Sequence, residues 1–202
     1  MKARNARLVV LISGSGTNLQ ALINAKIRGE LDAEICAVIS NKSSAFGLER
    51  AKAAGIPTIV KPKLKSQDRQ RYDAELAELV SAYQPDWVIL AGWMRLLSMS
   101  FLSHFPNRVV NLHPALPGMF AGVDAIQRAY EAFQQRQIPH TGVMVHLVPD
   151  EGVDDGPLLN QEIVPIYAQD TLEDLEKRVH TCEHHLLVET IKQIIKNGGF
   201  DA

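Results

Sequence analysis

The sequence predicts an α/β fold: a doubly wound, mostly parallel, Rossmann-like sheet with an antiparallel C-terminal strand. Three observations carry this expectation. Short apolar runs alternate with segments of helical period along the chain. Most of those runs are near-continuous and rich in Val and Ile, as strands covered on both faces require. No Pro- or Ser-rich linker, internal repeat or low-complexity tract interrupts the series, so residues 1–202 read as a single domain.

Taken in order, RLVVLIS (7–13) is the first strand, and TNLQALINAKIRG (17–29) follows as a helix with Gly29 near its end. Thr17 and Gln20 match a capping box, which puts the helix start at Thr17. EICAVISN (34–41) reads as the second strand, AFGLERAKAAG (45–55) as a short helix closed by Gly55, and IPTIVKP (56–62) as the third strand. Over residues 68–83, Tyr72, Leu76, Leu79, Val80 and Tyr83 share one helical face, with charges opposite. DWVILAGW (86–93) and RVVNLH (108–113) are strands, and VDAIQRAYEAFQQRQ (123–137) is a helix. TGVMVHLV (141–148) and LLNQEIVPI (158–166) read as strands, the second an antiparallel partner, and a long final helix runs from about Thr171 to Lys196.

Composition narrows the partners. A chain of 202 residues, 46% hydrophobic, is long enough to bury a full core. The formal net charge is -2 and no five like charges occur in a row, which argues against nucleic acid or a membrane surface as the main partner. An anionic ligand must then be held by local donors. Cys36 and Cys182 lie far apart and in no metal spacing, as expected for reduced thiols in a cytoplasmic protein. The run LVVLI after the basic MKARNAR is too short for a signal-peptide core. No apolar stretch approaches the ~20 residues of a membrane span.

The first strand runs into SGSGTNLQ (13–20). Gly14 and Gly16 let the backbone approach a ligand, and free amides at a helix start point outward with the positive end of the dipole. Gly16, Thr17 and Asn18 are therefore candidates to hold a phosphate. The loop is not a dinucleotide fingerprint, because Leu19 stands where a third glycine belongs and the second strand ends in Ser40, Asn41 and Lys42, with no acid. A Walker-type loop is excluded too, since no Gly-Lys-Ser/Thr follows. A mononucleotide-like phosphate is favoured, although a tight strand-to-helix turn alone would also explain two glycines.

RVVNLHPALPG (108–118) opens as a buried strand and then presents Asn111 and His113. Alternation puts both side chains on one face, with Leu112 on the other. Pro114 lacks an amide hydrogen and marks the carboxyl end of the strand, where ligands gather in a parallel sheet. The bland alternative is a polar pair that satisfies a nearby loop. A carboxylate beside His113 would raise its pKa and favour the imidazolium. The loop PDEGVDDGP (149–157) offers Asp150, Glu151, Asp154 and Asp155, and spacing does not choose among them. An imidazolium beside an amide donor suits acyl transfer to an amine, with both groups bonding the oxyanion and the His/acid pair moving a proton. G-x-S-x-G is absent, so direct transfer fits better than an acyl-enzyme.

In combination, SGSGTNLQ, AGWMRLL, NLHPALPG, TGVMVH and DEGVDDGP resemble, in order, the motifs of the glycinamide ribonucleotide formyltransferases, over residues 7 to 195. That resemblance implies transfer of a formyl group from 10-formyltetrahydrofolate to glycinamide ribonucleotide in purine biosynthesis. It implies Asn111, His113 and Asp154 as the catalytic trio, with Asn111 on the formyl oxygen, His113 as general acid and oxyanion partner, and Asp154 keeping His113 charged. Gly16, Thr17 and Asn18 would hold the ribonucleotide phosphate and Glu183 the glycinamide end. Met94, Arg95, Leu96 and Leu97 would line the folate pocket, together with Asn111, and Arg69 would lie near it. The N-terminal half would then serve the ribonucleotide, and the C-terminal half the folate and catalysis. Two departures stand out: the run HPALPGMFAGVDAI has one leucine where relatives often carry two, altering loop 114–123, and Met144 replaces a small hydroxyl residue.

Several residues have plain structural readings. Arg69 and Arg95 could be solvated charges, and Leu96 and Leu97 could begin a core-facing helix. His180 and His184 have a spacing that metals use, but no glutamate base accompanies them and no metal is expected. His146 is either a group behind the site or a satisfied core histidine. Among rival functions, a 10-formyltetrahydrofolate deformylase could use the same trio but would not need the glycine loop. A methionyl-tRNA formyltransferase would need a basic tRNA-binding part, and a nonenzymatic nucleotide-binding regulator would not need Asn111 and His113 together. Whether the protein is a monomer or a homodimer is left open by the sequence.

Overall fold

The computed structural model describes residues 5–197. The elements in chain order are β1 (Ala6–Ile12), α1 (Thr17–Ile27), β2 (Ala33–Ser40), α2 (Gly47–Ala53), β3 (Thr58–Val60), α3 (Arg69–Ser81), β4 (Trp87–Leu90), α4 (Met99–Leu102), β5 (Val109–His113), α5 (Ala125–Gln134), β6 (His140–Leu147), β7 (Leu158–Pro165) and α6 (Leu172–Lys196). The short helix α4 has no counterpart in the sequence reading. A single turn spans too few residues for the helical period to show.

The seven strands form one sheet in the order β3-β2-β1-β4-β5-β6-β7. The ladders from β3 to β5 are parallel. β6 runs antiparallel to both β5 and β7, so β6 is the strand of reversed direction. The strand order turns around between β1 and β4. In such a sheet this is where the carboxyl ends of neighbouring strands diverge and leave a crevice.

Burial on two faces explains the apolar runs. Leu8, Val10 and Ile12 of β1 and Val110 and Leu112 of β5 pack in one core with Leu19 and Leu22 of α1 and Leu187 and Ile191 of α6. Val9 and Leu11 of β1 and Val109 of β5 face the other way, against Tyr72, Leu76 and Val80 of α3 and Phe101 of α4. The alternation in β5 thus puts Asn111 and His113 on the α3/α4 side of the sheet. Val109, Val110 and Leu112 hold that strand in place, each buried side chain contributing about 1.5–3 kcal/mol, which offsets the cost of burying the polar pair.

The helix starts correct one expectation. Thr17 does begin α1, but as its first helical residue; the N-cap is Gly16 at φ 71, with no side-chain cap bond. Gln20 turns away to Asn24 and Arg50 and does not return to the helix start. The left-handed Gly16 needs no capping hydroxyl to turn the chain. A capping box is present instead at α6, between Thr171 and Asp174.

Candidate active site

Asn111, His113 and Asp154 come together on the α3/α4 side of the sheet. The Asp154 carboxylate accepts from Asn111 Nδ2 at 2.9 Å and from the Gly122 N–H at 2.8 Å. Its Oδ2 lies 3.2 Å from His113 Nδ1. Asp154 has φ 53, a left-handed conformation that Asp adopts at modest cost and that turns its side chain back toward β5. The turn is tight: a Cβ on Gly156 would meet the Leu147 carbonyl oxygen at 1.9 Å. The other acids of this loop point elsewhere. Glu151 bonds Arg69 at 2.7 Å and the Met99 N–H at 3.0 Å, and Asp150 accepts from the Gly152 N–H.

His146 lies behind the trio. It sits opposite Asn111 in the β5/β6 ladder and is buried. Its Nδ1 faces the Leu147 carbonyl at 2.8 Å, so that nitrogen carries the hydrogen and Nε2 accepts from Asn111 Nδ2 at 3.1 Å. Both amide hydrogens of Asn111 are therefore engaged, one by Asp154 and one by His146. Met144 is the ladder partner of His113 and is buried beneath the site.

The altered loop after β5 folds over His113. The Phe120 carbonyl lies 3.1 Å from His113 Nε2 and is also held by Arg128 Nη2. Both ring nitrogens of His113 thus face acceptors, which favours the imidazolium. Burial has the larger effect, however, and is assisted by the nearby His146; together they outweigh Asp154 and the Phe120 and Met119 carbonyls, so the His113 pKa is lowered from 6.5. This reverses the expectation of a charged His113, because desolvation of a side chain only 5% exposed exceeds the attraction of one carboxylate. For Asp154, burial acts to raise the pKa. The neighbouring His146, the Gly122 N–H and the nearby His113 outweigh it, and the carboxyl lies below its usual value.

The trio lines a cleft of about 510 Å³ whose walls include Leu90, Met94, Leu96, Leu97, Val148 and Val153. Arg95 lines it as well, with its guanidinium 5.2 Å from the centre of the Tyr72 ring, so it is not a freely solvated charge. Leu97 also packs into the core, while Met94 is 66% exposed at the mouth. Residues 94–97 form an irregular segment and not a helix. Its end is fixed by buried Asp73, which accepts from the Ser98 N–H at 2.7 Å. Arg69 does not line the cleft; it reaches the rim through Glu151.

The glycine loop adjoins this cleft. Ser13 links the two, its N–H donating to the Gly92 carbonyl and its Oγ accepting from the Met94 N–H at 2.8 Å. Gly16, Thr17 and Asn18 follow at the carboxyl end of β1. Thr17 opens a second groove, of about 470 Å³, between α1 and α6, bordered by Gln20, Asn24, Arg50 and His184. Glu183 lines neither cleft; it is buried on α6 and bonded to His180 Nδ1 at 2.6 Å. Among the described residues no group of three or more His, Cys, Asp or Glu is placed to hold a metal ion. No described helix is long and apolar enough to cross a membrane.

With a doubly wound sheet and a polar cluster at the carboxyl end of β5, residues 6–191 match the formyl transferase family model, and the chain belongs to that family. Within it, several relatives carry the same name. The chain is 49% identical to the phosphoribosylglycinamide formyltransferase of Schizosaccharomyces pombe, over 96% of this chain and 99% of that protein. It is 43% identical to the Escherichia coli protein of the same name, over 88% of this chain and 81% of that one. Its structure superimposes on glycinamide ribonucleotide transformylase 1 from Symbiobacterium toebii with a TM-score of 0.90 and 39% identity, covering 97% of this chain and 90% of the other. The protein is accordingly an enzyme of formyl transfer.

The sequence reading left the place of His146 open and missed Arg50 and the Phe120 carbonyl. His146 carried a signal, an imidazole on the buried face of an apolar strand. Its partner Asn111 is 35 residues away and is set by strand register.

Proposed function

We propose that the protein transfers the formyl group of 10-formyltetrahydrofolate to the amine of N1-(5-phosphoribosyl)glycinamide, as a cytoplasmic enzyme of de novo purine biosynthesis. One observation carries this reading: His113, bound to Asp154, lies in an apolar-walled cleft that adjoins a glycine loop through Ser13. The cleft suits the flat ring system of a folate, with Met94, Arg95, Leu96, Leu97 and Asn111 lining it and Arg69 at its rim. Gly16, Thr17 and Asn18 take the phosphate, and Glu183, which lines neither cleft as it stands, serves the glycinamide end once its bond to His180 is released.

The substrate amine attacks the formyl carbon to form a tetrahedral oxyanion, which collapses as the bond from that carbon to the folate nitrogen breaks. His113 is neutral at the outset, as its burial favours. Once the Phe120 carbonyl has moved aside, Nε2 accepts the proton of the attacking amine and delivers it to the leaving nitrogen. Asp154 stabilises the imidazolium formed between these two steps. The oxyanion is met by that imidazolium and by Asn111, which releases its longer bond, to His146, in order to donate.

The test is steady-state turnover of 10-formyltetrahydrofolate with and without the ribonucleotide. Turnover that requires the ribonucleotide and yields its formylated product supports the proposal. Equal turnover without it, releasing formate, overturns the proposal in favour of a deformylase. His113→Ala lowers kcat by about 100-fold or more, the scale of general acid–base catalysis, and spares ribonucleotide binding.

A further inference from the structure

The glycine loop carries no charged side chain: Ser13, Ser15, Thr17 and Asn18 flank its two glycines. Its shape is imposed from outside, by α2. The Gly47 N–H donates to the Gly14 carbonyl at 3.1 Å. Arg50 Nε donates to the Ser15 carbonyl at 2.9 Å, and Arg50 Nη1 reaches Gln20 Oε1 at 3.2 Å. The guanidinium lies 5.0 Å from the centre of the Phe46 ring. The approach is too close for any other residue at position 16, since a Cβ on Gly16 would stand 2.5 Å from Gly47 Cα.

These contacts have a geometric consequence. In a planar peptide the carbonyl of one residue and the N–H of the next point in opposite directions. Tying back the Gly14 and Ser15 carbonyls therefore turns the N–H groups of Ser15 and Gly16 away from α2. They join the free amides at the start of α1, on the side where a phosphate would sit. Arg50 supplies a positive charge to the same loop, in a chain whose net charge gives no general attraction for anions.

We infer that Arg50 is a positioning residue for the ribonucleotide phosphate: it holds the Ser15–Gly16 peptide with its amide facing the ligand and brings the fixed positive charge that the loop lacks. This inference rests on the phosphate reading of the glycine loop given above. It assigns the recognition of a phosphate monoester partly to a side chain that lies outside the loop.

Two variants separate the contributions. Arg50→Lys keeps the charge and loses the two-pronged fork; Arg50→Gln keeps a donor and loses the charge. The first measurement is the affinity for inorganic phosphate, followed by phosphorus NMR. Arg50→Gln weakens it by about 10- to 100-fold, the range of one charge-assisted hydrogen bond, and Arg50→Lys recovers part of the loss. The second measurement compares KM for the ribonucleotide with KM for the same nucleoside lacking its phosphate. Arg50→Gln raises the first by a similar factor, leaves the second within about threefold, and lowers kcat little. Equal rises for both compounds, unchanged phosphate affinity, or a loss confined to kcat overturns the inference. Wild-type protein that binds no inorganic phosphate overturns the phosphate reading of the loop itself, and is observed before any variant is made.

Discussion

Replacing Asp154 with Asn keeps the shape of the side chain and removes its charge. In the native site one carboxylate serves the Asn111 amide at 2.9 Å, the Gly122 N–H at 2.8 Å and His113 Nδ1 at 3.2 Å. A carboxamide has one accepting oxygen and brings two hydrogens toward groups that are themselves donors. The larger effect falls on His113. An opposite charge this close raises an imidazole pKa by about 1–3 units, so its removal makes the imidazolium harder to form by about 1.4–4 kcal/mol. His113 is already below its ordinary value because of burial, and in the variant it titrates at a still lower pH. If the imidazolium forms between the two proton transfers, kcat falls by about 10- to 1,000-fold while both KM values stay within about threefold. The assay is steady-state kinetics beside an NMR titration of the His113 ring. A kcat within about threefold of wild type, or a His113 titration that does not move down, refutes the coupling of Asp154 to the chemistry.

Two further perturbations test the frame around the site. Gly16→Ala forces a left-handed residue and drives a Cβ against Gly47 Cα, so it destabilises the fold by at least about 1–2 kcal/mol in chemical denaturation; a variant as stable as wild type refutes the account of that turn. Glu183→Gln acts through His180, whose pKa is raised above 6.5, first by its hydrogen bond to Glu183. A group raised in the folded state stabilises fully below its unfolded pKa, and that contribution disappears as pH rises through the folded value. The wild type therefore loses more melting temperature than Glu183→Gln between about pH 6 and about pH 9, and identical profiles refute the link.

The strand series, the glycine loop and the Asn-x-His pair were legible in the sequence because each rests on local rules. Buried strands announce themselves by unbroken apolar runs, and Asn111 and His113 share a face because strand side chains alternate. Local rules also misled. Thr17 and Gln20 match a capping pattern, yet a left-handed Gly16 had already turned the chain, and Gln20 found Asn24 and Arg50 instead. Four acids stood within six residues of loop 149–157, and nothing in their spacing singled out Asp154. The resemblance to a family named it; the contact with His113 depends on a left-handed turn that no pattern of residue types marks.

By itself the sequence determined the succession of the strands and the longer helices, the direction of β1 to β5 and the face on which Asn111 and His113 lie, since periodicity and turn chemistry act over a few residues. Tertiary structure decided the rest. It set the register that puts His146 behind Asn111, the packing of α2 that brings Arg50 to the glycine loop, and the loop that covers His113. It also decided the charge of His113, because desolvation depends on every segment that closes over the ring, and those segments lie from seven to more than forty residues away along the chain.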